Sequence, residues 1–434
     1  MNFDEPLRRI NEKLVLVRAK DPKVKVFGAE RHQYALDEPQ SEMDVRVFEA
    51  KHNITLPEAF RAFITQVGAS GAGPYYGINE LNKTILTNST NLSKPCQLHP
   101  KMTEDEWKAL VKSQEDNEED DPWFHGLMSI GTQGCAFETC LVVNGPYRGR
   151  IVNIDRDLEK PQFSFEAHFL DWYERWLDEI LNSYDMLWFG FKMGGNDLDL
   201  IRFFQSSSDA DDQAEAIWGL SKLPQVYPET IDFIEKQMRH PEKKVRHYAL
   251  WMLTKFAYEK AKPYIAQHLD STLDEDKLMA AQGIHWYAKN HSGDWTDIII
   301  KNLTGLNQAE TFCFLCYVLS NSKIDFGNSL IPFLNHSDTS IRKGAVHNLS
   351  KLENKENYLP HLIQAFDDED LYVQIQAIQA TRGIIAPELV GQYERLISQD
   401  KSESVVRNAS LQLKELKLGL SSKINQWWHR FTSR

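Results

Sequence analysis

The sequence predicts an α+β N-terminal domain, an antiparallel sheet with helices, followed by an all-α superhelical solenoid. Three observations predict this. Small residues recur every 32 positions through the C-terminal half. The N-terminal half instead mixes β-branched runs, glycine-rich turns and aromatic-rich helices. And 434 residues exceed what one ordinary core encloses. The division is read as 1–190 and 200–434.

Three segments of the C-terminal half align without gaps: Val245-Arg246-His247-Tyr248-Ala249, Ile341-Arg342-Lys343-Gly344-Ala345 and Val373-Gln374-Ile375-Gln376-Ala377. A fourth, Val405-Val406-Arg407-Asn408-Ala409, fits with its arginine displaced by one. The skipped places hold Ala281 and Cys313, both small. Seven residues earlier stand Glu242, Asp274, Asp338, Asp370 and Ser402, acceptors suited to a helix start. Leu253, Leu349 and Leu413 complete an apolar stripe. A second helix is expected after each turn, often opened by proline, as at Pro228, Pro263, Pro360 and Pro387. One such pair cannot bury both faces, so neighbours must stack.

In the N-terminal half, Val47-Phe48-Glu49 precedes Leu56-Pro57-Glu58-Ala59-Phe60-Arg61-Ala62-Phe63, a short amphipathic helix with proline in its first turn. The run Gly68–Gly77 ends that helix and supplies a turn. Met128–Gly131, Leu141–Val143 and Arg150–Ile154 read as strands, the last two joined through Asn144-Gly145-Pro146-Tyr147-Arg148-Gly149. Phe169–Leu177 then reads as a closing amphipathic helix.

The period-32 pattern resembles the short HEAT repeats over about residues 205–420, on the apolar-Arg-x-x-Ala core after an acidic cap. The N-terminal order resembles the SMI1/KNR4 family of the SUKH superfamily over roughly residues 40–185. The marks are Glu49 in a first helix, the Leu-Pro helix, the glycine turn, the strand–Asn-Gly–strand hairpin and the closing aromatic helix. Asn153 stands where that family often has a tryptophan. The first resemblance implies protein binding on a solenoid surface. The second implies an immunity protein that neutralises a polymorphic or contact-dependent toxin by direct binding, with no general catalytic residues.

Composition is 42% hydrophobic and 26% charged, which is globular rather than disordered. Net charge is −13 and uneven: residues 1–200 hold 22 Lys and Arg against 33 Asp and Glu, the remainder 27 against 29. An acidic half is a poor platform for nucleic acid and a good one for steering a basic protein partner, such as a toxin domain. Five cysteines argue for a reducing compartment, and no membrane span or secretory leader is visible, so the cytoplasm is expected.

Candidate partner-binding residues lie in the acidic run Asp116, Glu118, Glu119, Asp120 and Asp121, with Trp123 as an anchor. The same run also reads, with the greater weight, as a solvated, partly disordered insertion between strands. Elsewhere the bland reading prevails. Cys313 and Cys316 have metal spacing but sit in an apolar run, and Cys135 and Cys140 are expected as buried thiols. Gly71-Ala72-Gly73 is a turn, not a phosphate cradle. His240 and His336 are turn or cap residues, Arg246 and Arg342 ladder residues. Asp155 and Asp157 share a post-strand turn, and Trp427-Trp428 is expected to cover the last repeat. No catalytic residue, cofactor or metal is expected. A regulatory or stress-signalling scaffold is the alternative to an immunity protein.

Overall fold

The computed structural model describes residues 2–84, 91–115, 124–157, 159–399 and 402–432, with side chains described through 419 except at 114 and 115. By compactness the chain forms two units, Met1–Ile234 with His240–Tyr248, and Glu235–Arg239 with Ala249–Arg434.

The first unit opens with helix α1 (Asp4–Lys20), then α2 (Ala29–His32), α3 (Glu42–His52), α4 (Glu58–Gln66) and α5 (Glu104–Glu115). Four strands follow, β1 (Leu127–Gly134), β2 (Phe137–Val142), β3 (Ile151–Asp155) and β4 (Gln162–Phe163), then α6 (Phe169–Leu181). The strands pair in sequence order, all antiparallel. Both sheet faces are covered, which is why β3 is buried at every residue, Asn153 and Asp155 included, instead of alternating with exposed positions. Met128, Ile130, Leu141 and Ile151 join α1, α4 and α6 in one core. Leu127, Cys140, Val142, Val152 and Ile154 pack with Trp107 of α5 in another.

Aromatic rings carry much of the first core. Phe63 lies 4.6 Å from Tyr173 and 5.1 Å from Phe169, centroid to centroid. Glu49 holds α3 to α4: its Oε1 accepts from the Leu56 amide at 2.8 Å and its carboxylate meets Arg61. In the glycine turn, Gly71 and Ile78 exchange backbone hydrogen bonds at 3.0 and 2.8 Å. Gly77 has φ +94°, and a Cβ there would lie 2.1 Å from the Gly71 carbonyl oxygen. The run is therefore a tight turn, as expected.

Helix α1 is absent from the sequence reading, although Leu7, Ile10, Leu14 and Val17 give it a buried stripe. Arg9 and Lys13 tie it to Glu174 of α6 at 2.7 and 2.8 Å. Cys140 is buried, but Cys135 is exposed, contrary to expectation. It occupies the two-residue turn between β1 and β2 with φ +49°, where its side chain points away from either core.

By compactness the first unit runs on past the α+β elements. It takes in α7 (Asp197–Ser206), α8 (Ala210–Gly219) and the opening turns of α9 (Pro228–Gln237) and α10 (Lys243–Phe256). Lys222, 1% exposed, donates to the carbonyls of Met193 and Gly219, and the Asp185 amide returns a bond to Lys222 O. Lys101 pairs with Asp209 and Asp212 at the start of α8.

The second unit continues with α11 (Tyr258–Leu269), α12 (Asp274–Tyr287), α13 (Thr296–Asn302), α14 (Ala309–Asn321), α15 (Gly327–Leu330), α16 (Thr339–Lys351), α17 (Leu359–Gln364), α18 (Leu371–Ala380), α19 (Glu388–Ser398) and α20 (Glu403–Thr432). Ala249, Ala281, Ala345, Ala377 and Ala409 are all fully buried, one per repeat. Asp338 and Asp370 cap α16 and α18 through their carboxylates, as the acidic-cap pattern requires. Asp274 does not. It is the first residue of α12, and its carboxylate accepts from the Asn307 amide instead.

Cys313 departs from the period. It is only partly buried, while Leu315 and Cys316 point inward. Matching the buried residues of α14 to those of α16 needs a spacing of 30, not 32, so strict counting selects the wrong residue. Pro263 also departs: it lies inside α11 rather than opening it.

Candidate functional site

Asp116, Glu118, Glu119, Asp120, Asp121 and Trp123 lie outside the described residues. The described chain stops at Glu115 of α5 and resumes at buried Phe124.

Within the first unit the described residues enclose a cleft of about 1310 Å³. Its floor begins on α6, where Arg175 and Glu179 stand one turn apart on an otherwise apolar face. The buried Arg175 guanidinium donates to Glu179 at 2.8 Å, to Glu166 at 2.6 Å and to the Lys192 carbonyl at 2.5 Å. Gly194 permits this approach, since a Cβ there would lie 2.8 Å from Arg175 Cδ. Burial works against the arginine's charge, but Glu166 and Glu179 outweigh it and raise its pKa.

Beside this ion pair, burial lowers the Lys222 ammonium to about pKa 7 and also lowers Lys192. Lys222 does not line the cleft, so its easily deprotonated amine has no access to a substrate there. The far wall is helical. Asn196 and Asp199 form a capping box at α7. Asp211 and Glu215 of α8 face Lys244 of α10 at 3.0 and 3.4 Å, and Trp218 stacks on Tyr248. The lining carries seven carboxylates against five cations, so the cleft is acidic and edged by aromatic rings. Sequence reasoning missed it because its residues come from helices far apart in the chain. Only the Arg175–Glu179 spacing on an apolar helix hinted at a buried pair.

The remaining candidates resolve as structural groups. Nδ1 of His240 and of His336 accepts the amide two residues on, at 3.1 and 3.0 Å, as Asp368 does one repeat later at 2.8 Å. Arg246, Arg342 and Gln374 each donate to the carbonyl six residues earlier. Arg342 additionally holds Asp368 with two bonds, at 2.9 and 3.0 Å. Asp155 accepts from the Asp157 amide in a turn. Asn153 is buried and accepts from Gln133 Nε2 at 2.8 Å. Trp427 and Trp428 fall within α20, their side chains outside those described.

Among the described residues, no cluster of three His, Cys, Asp or Glu is placed to hold a metal. Nor is any helix among them long and apolar enough to cross a membrane.

Residues 39–175 match the model of the SMI1 / KNR4 family (SUKH-1), and residues 199–284 match HEAT repeats. No curated protein matches the sequence. Among solved structures, the complex of CpcE and CpcF of phycocyanin lyase from Nostoc sp. is 18% identical, covering 51% of this chain and 94% of its own, with a TM-score of 0.31. Human deoxyhypusine hydroxylase in complex with glycerol is 13% identical over 51% of this chain and 96% of its own, with a TM-score of 0.25.

Proposed function

We propose that this chain, an SMI1/KNR4 (SUKH-1) domain followed by HEAT repeats, is a non-catalytic immunity or antitoxin-like protein that neutralises a toxin by binding it directly. Both modules are protein-interaction modules, and their tandem arrangement provides two surfaces. The observation that carries the finer reading is acidity concentrated where a partner can enter. Residues 1–200 account for most of the net charge, and the first unit's cleft adds aromatic rings to a carboxylate-rich lining. A basic nuclease or similar toxin domain has the complementary chemistry, and long-range attraction would speed its capture.

The test is protection. Cells that express a toxin encoded beside this gene are expected to survive when the full chain is co-expressed and to die without it. Death in both cases, with both proteins present at normal levels, overturns the reading.

A second reading, a scaffold in regulation or stress signalling, draws on the second unit. Trp251, Trp286, Phe314 and Tyr317 form a row across α10, α12 and α14 with ring spacings of 5.0, 5.6 and 5.6 Å. Trp286 and Tyr317 are more than two-fifths exposed. Capture of several housekeeping proteins, lost in Trp286→Ala, would favour it over the immunity reading.

A further inference from the structure

We propose that Asp211, Glu215, Trp218 and Tyr248 form a subsite for an arginine side chain of the incoming partner, and that the chain's own Lys244 occupies it in the free protein. The proposal rests on the reading of a basic protein partner and says where that partner's charge is held.

The four residues come from two neighbouring helices. On α8, Asp211, Glu215 and Trp218 follow at intervals of four and three, so they share one face. Tyr248 of α10 stacks on Trp218, ring centroids 6.1 Å apart and planes 27° from parallel. All four line the acidic cleft. Two carboxylates beside two aromatic faces are the chemistry that recognises a cation, the rings through their quadrupole and the acids through charge-assisted hydrogen bonds.

Lys244 makes this recognition within the chain. Its Nζ lies 3.0 Å from Asp211 Oδ1, 3.4 Å from Glu215 Oε1 and 5.9 Å from the Tyr248 ring centroid. The fit is loose. The ring distance is at the outer limit for attraction, about 6 Å. The lysine side chain is 46% exposed. Burial of Glu215 raises its carboxyl pKa despite the lysine, while Asp211 and Glu215 raise that of Lys244 against its own burial. A guanidinium suits the place better. It is planar, so it can lie on a ring while its edge bonds a carboxylate through two N–H groups, which an ammonium cannot do. The flexible Lys244 stem can swing to solvent when displaced.

The probe is an uncharged-ended Gly-Arg-Gly-Arg-Gly peptide titrated calorimetrically into the full chain at low ionic strength, with its citrulline counterpart as neutral control. Lys244→Met removes the internal competitor and is expected to tighten arginine-peptide binding about three- to tenfold, in line with release of a partly exposed ion pair. Lys301→Met, a distant control for lost positive charge, should leave it within twofold. Glu215→Gln and Trp218→Leu should weaken binding about fivefold or more, and Trp218→Phe should restore most of it if the ring is what matters.

Equal affinities for the Lys244→Met and Lys301→Met proteins would overturn the subsite, as would Glu215→Gln and Trp218→Leu proteins, both with native thermal transitions, binding like wild type. The outcomes separate the two claims. Toxin bound and neutralised with no change in any of these variants removes the subsite and leaves the immunity role. Arginine peptide captured as described, with no toxin bound, keeps the subsite and removes that role.

Discussion

Lys222 is 1% exposed, donates to Met193 O at 2.6 Å and Gly219 O at 3.2 Å, and lies 4.0 Å from Glu179. A neutral amine serves both carbonyls, so deprotonation costs no hydrogen bond. Burial lowers its pKa from 10.5 to about 7, with Arg175 and Lys192 adding to the effect and Glu179 opposing it. Below pH 7 the folded and unfolded chains both carry the proton, and the penalty for burying the charge acts in full. Between pH 7 and 10.5 the unfolded chain keeps a proton that the folded chain has released, so stability rises with pH. Urea unfolding between pH 7 and 9 should show this rise, with a contribution of at most about 1.4 kcal/mol per pH unit from one group. Lys222→Met should flatten it; an unchanged slope contradicts the assignment. Arg342 and Arg246 offer a second residue-scale contrast. Both cap carbonyls of their own repeat, but only Arg342 also holds Asp368, whose side chain is 8% exposed. Arg342→Ala is expected to cost about 3 kcal/mol, since a buried carboxylate loses its partner. Arg246→Ala should cost about 1 kcal/mol, the value of ordinary hydrogen bonds. Denaturant midpoints of the two variants check the difference.

At the scale of elements, the repeat was readable because one physical need recurs: a small residue where two backbones approach, a larger apolar residue on either side, and a cap before them. Ala281, Ala345, Ala377 and Ala409 all meet that need. Ala377→Leu should therefore overpack the α18 contact and cost about 1–3 kcal/mol. A loss below about 0.5 kcal/mol would mean that the helices are not tightly apposed there. Counting failed where the chain tolerates slippage. The two-residue shift that moves Cys313 outward and Leu315 inward leaves the helix intact and alters only the turns around it. Helix α1 was legible in principle from Leu7, Ile10, Leu14 and Val17, but its basic and acidic residues dilute the stripe. Cys135 was misplaced because a strand pattern says which residues alternate, not where a two-residue turn interrupts them. The cleft was not legible at all. Arg175, Trp218 and Tyr248 are distant in sequence, and no local rule joins them.

For the whole molecule, the uneven charge is the property that bears most directly on function. Charge concentrated in residues 1–200 should act on a basic partner from a distance and be screened by salt, with a Debye length of about 8 Å at physiological ionic strength. Association rates should therefore fall steeply with salt, while dissociation, set by short-range contacts, should change little. The most direct measurement is co-purification of the tagged full chain with the product of the adjacent open reading frame at low and high salt. A stable one-to-one complex that loosens at high salt is the predicted result. Absence of that product at both salt concentrations, with several unrelated proteins recovered instead, would contradict neutralisation by direct binding and favour the scaffold.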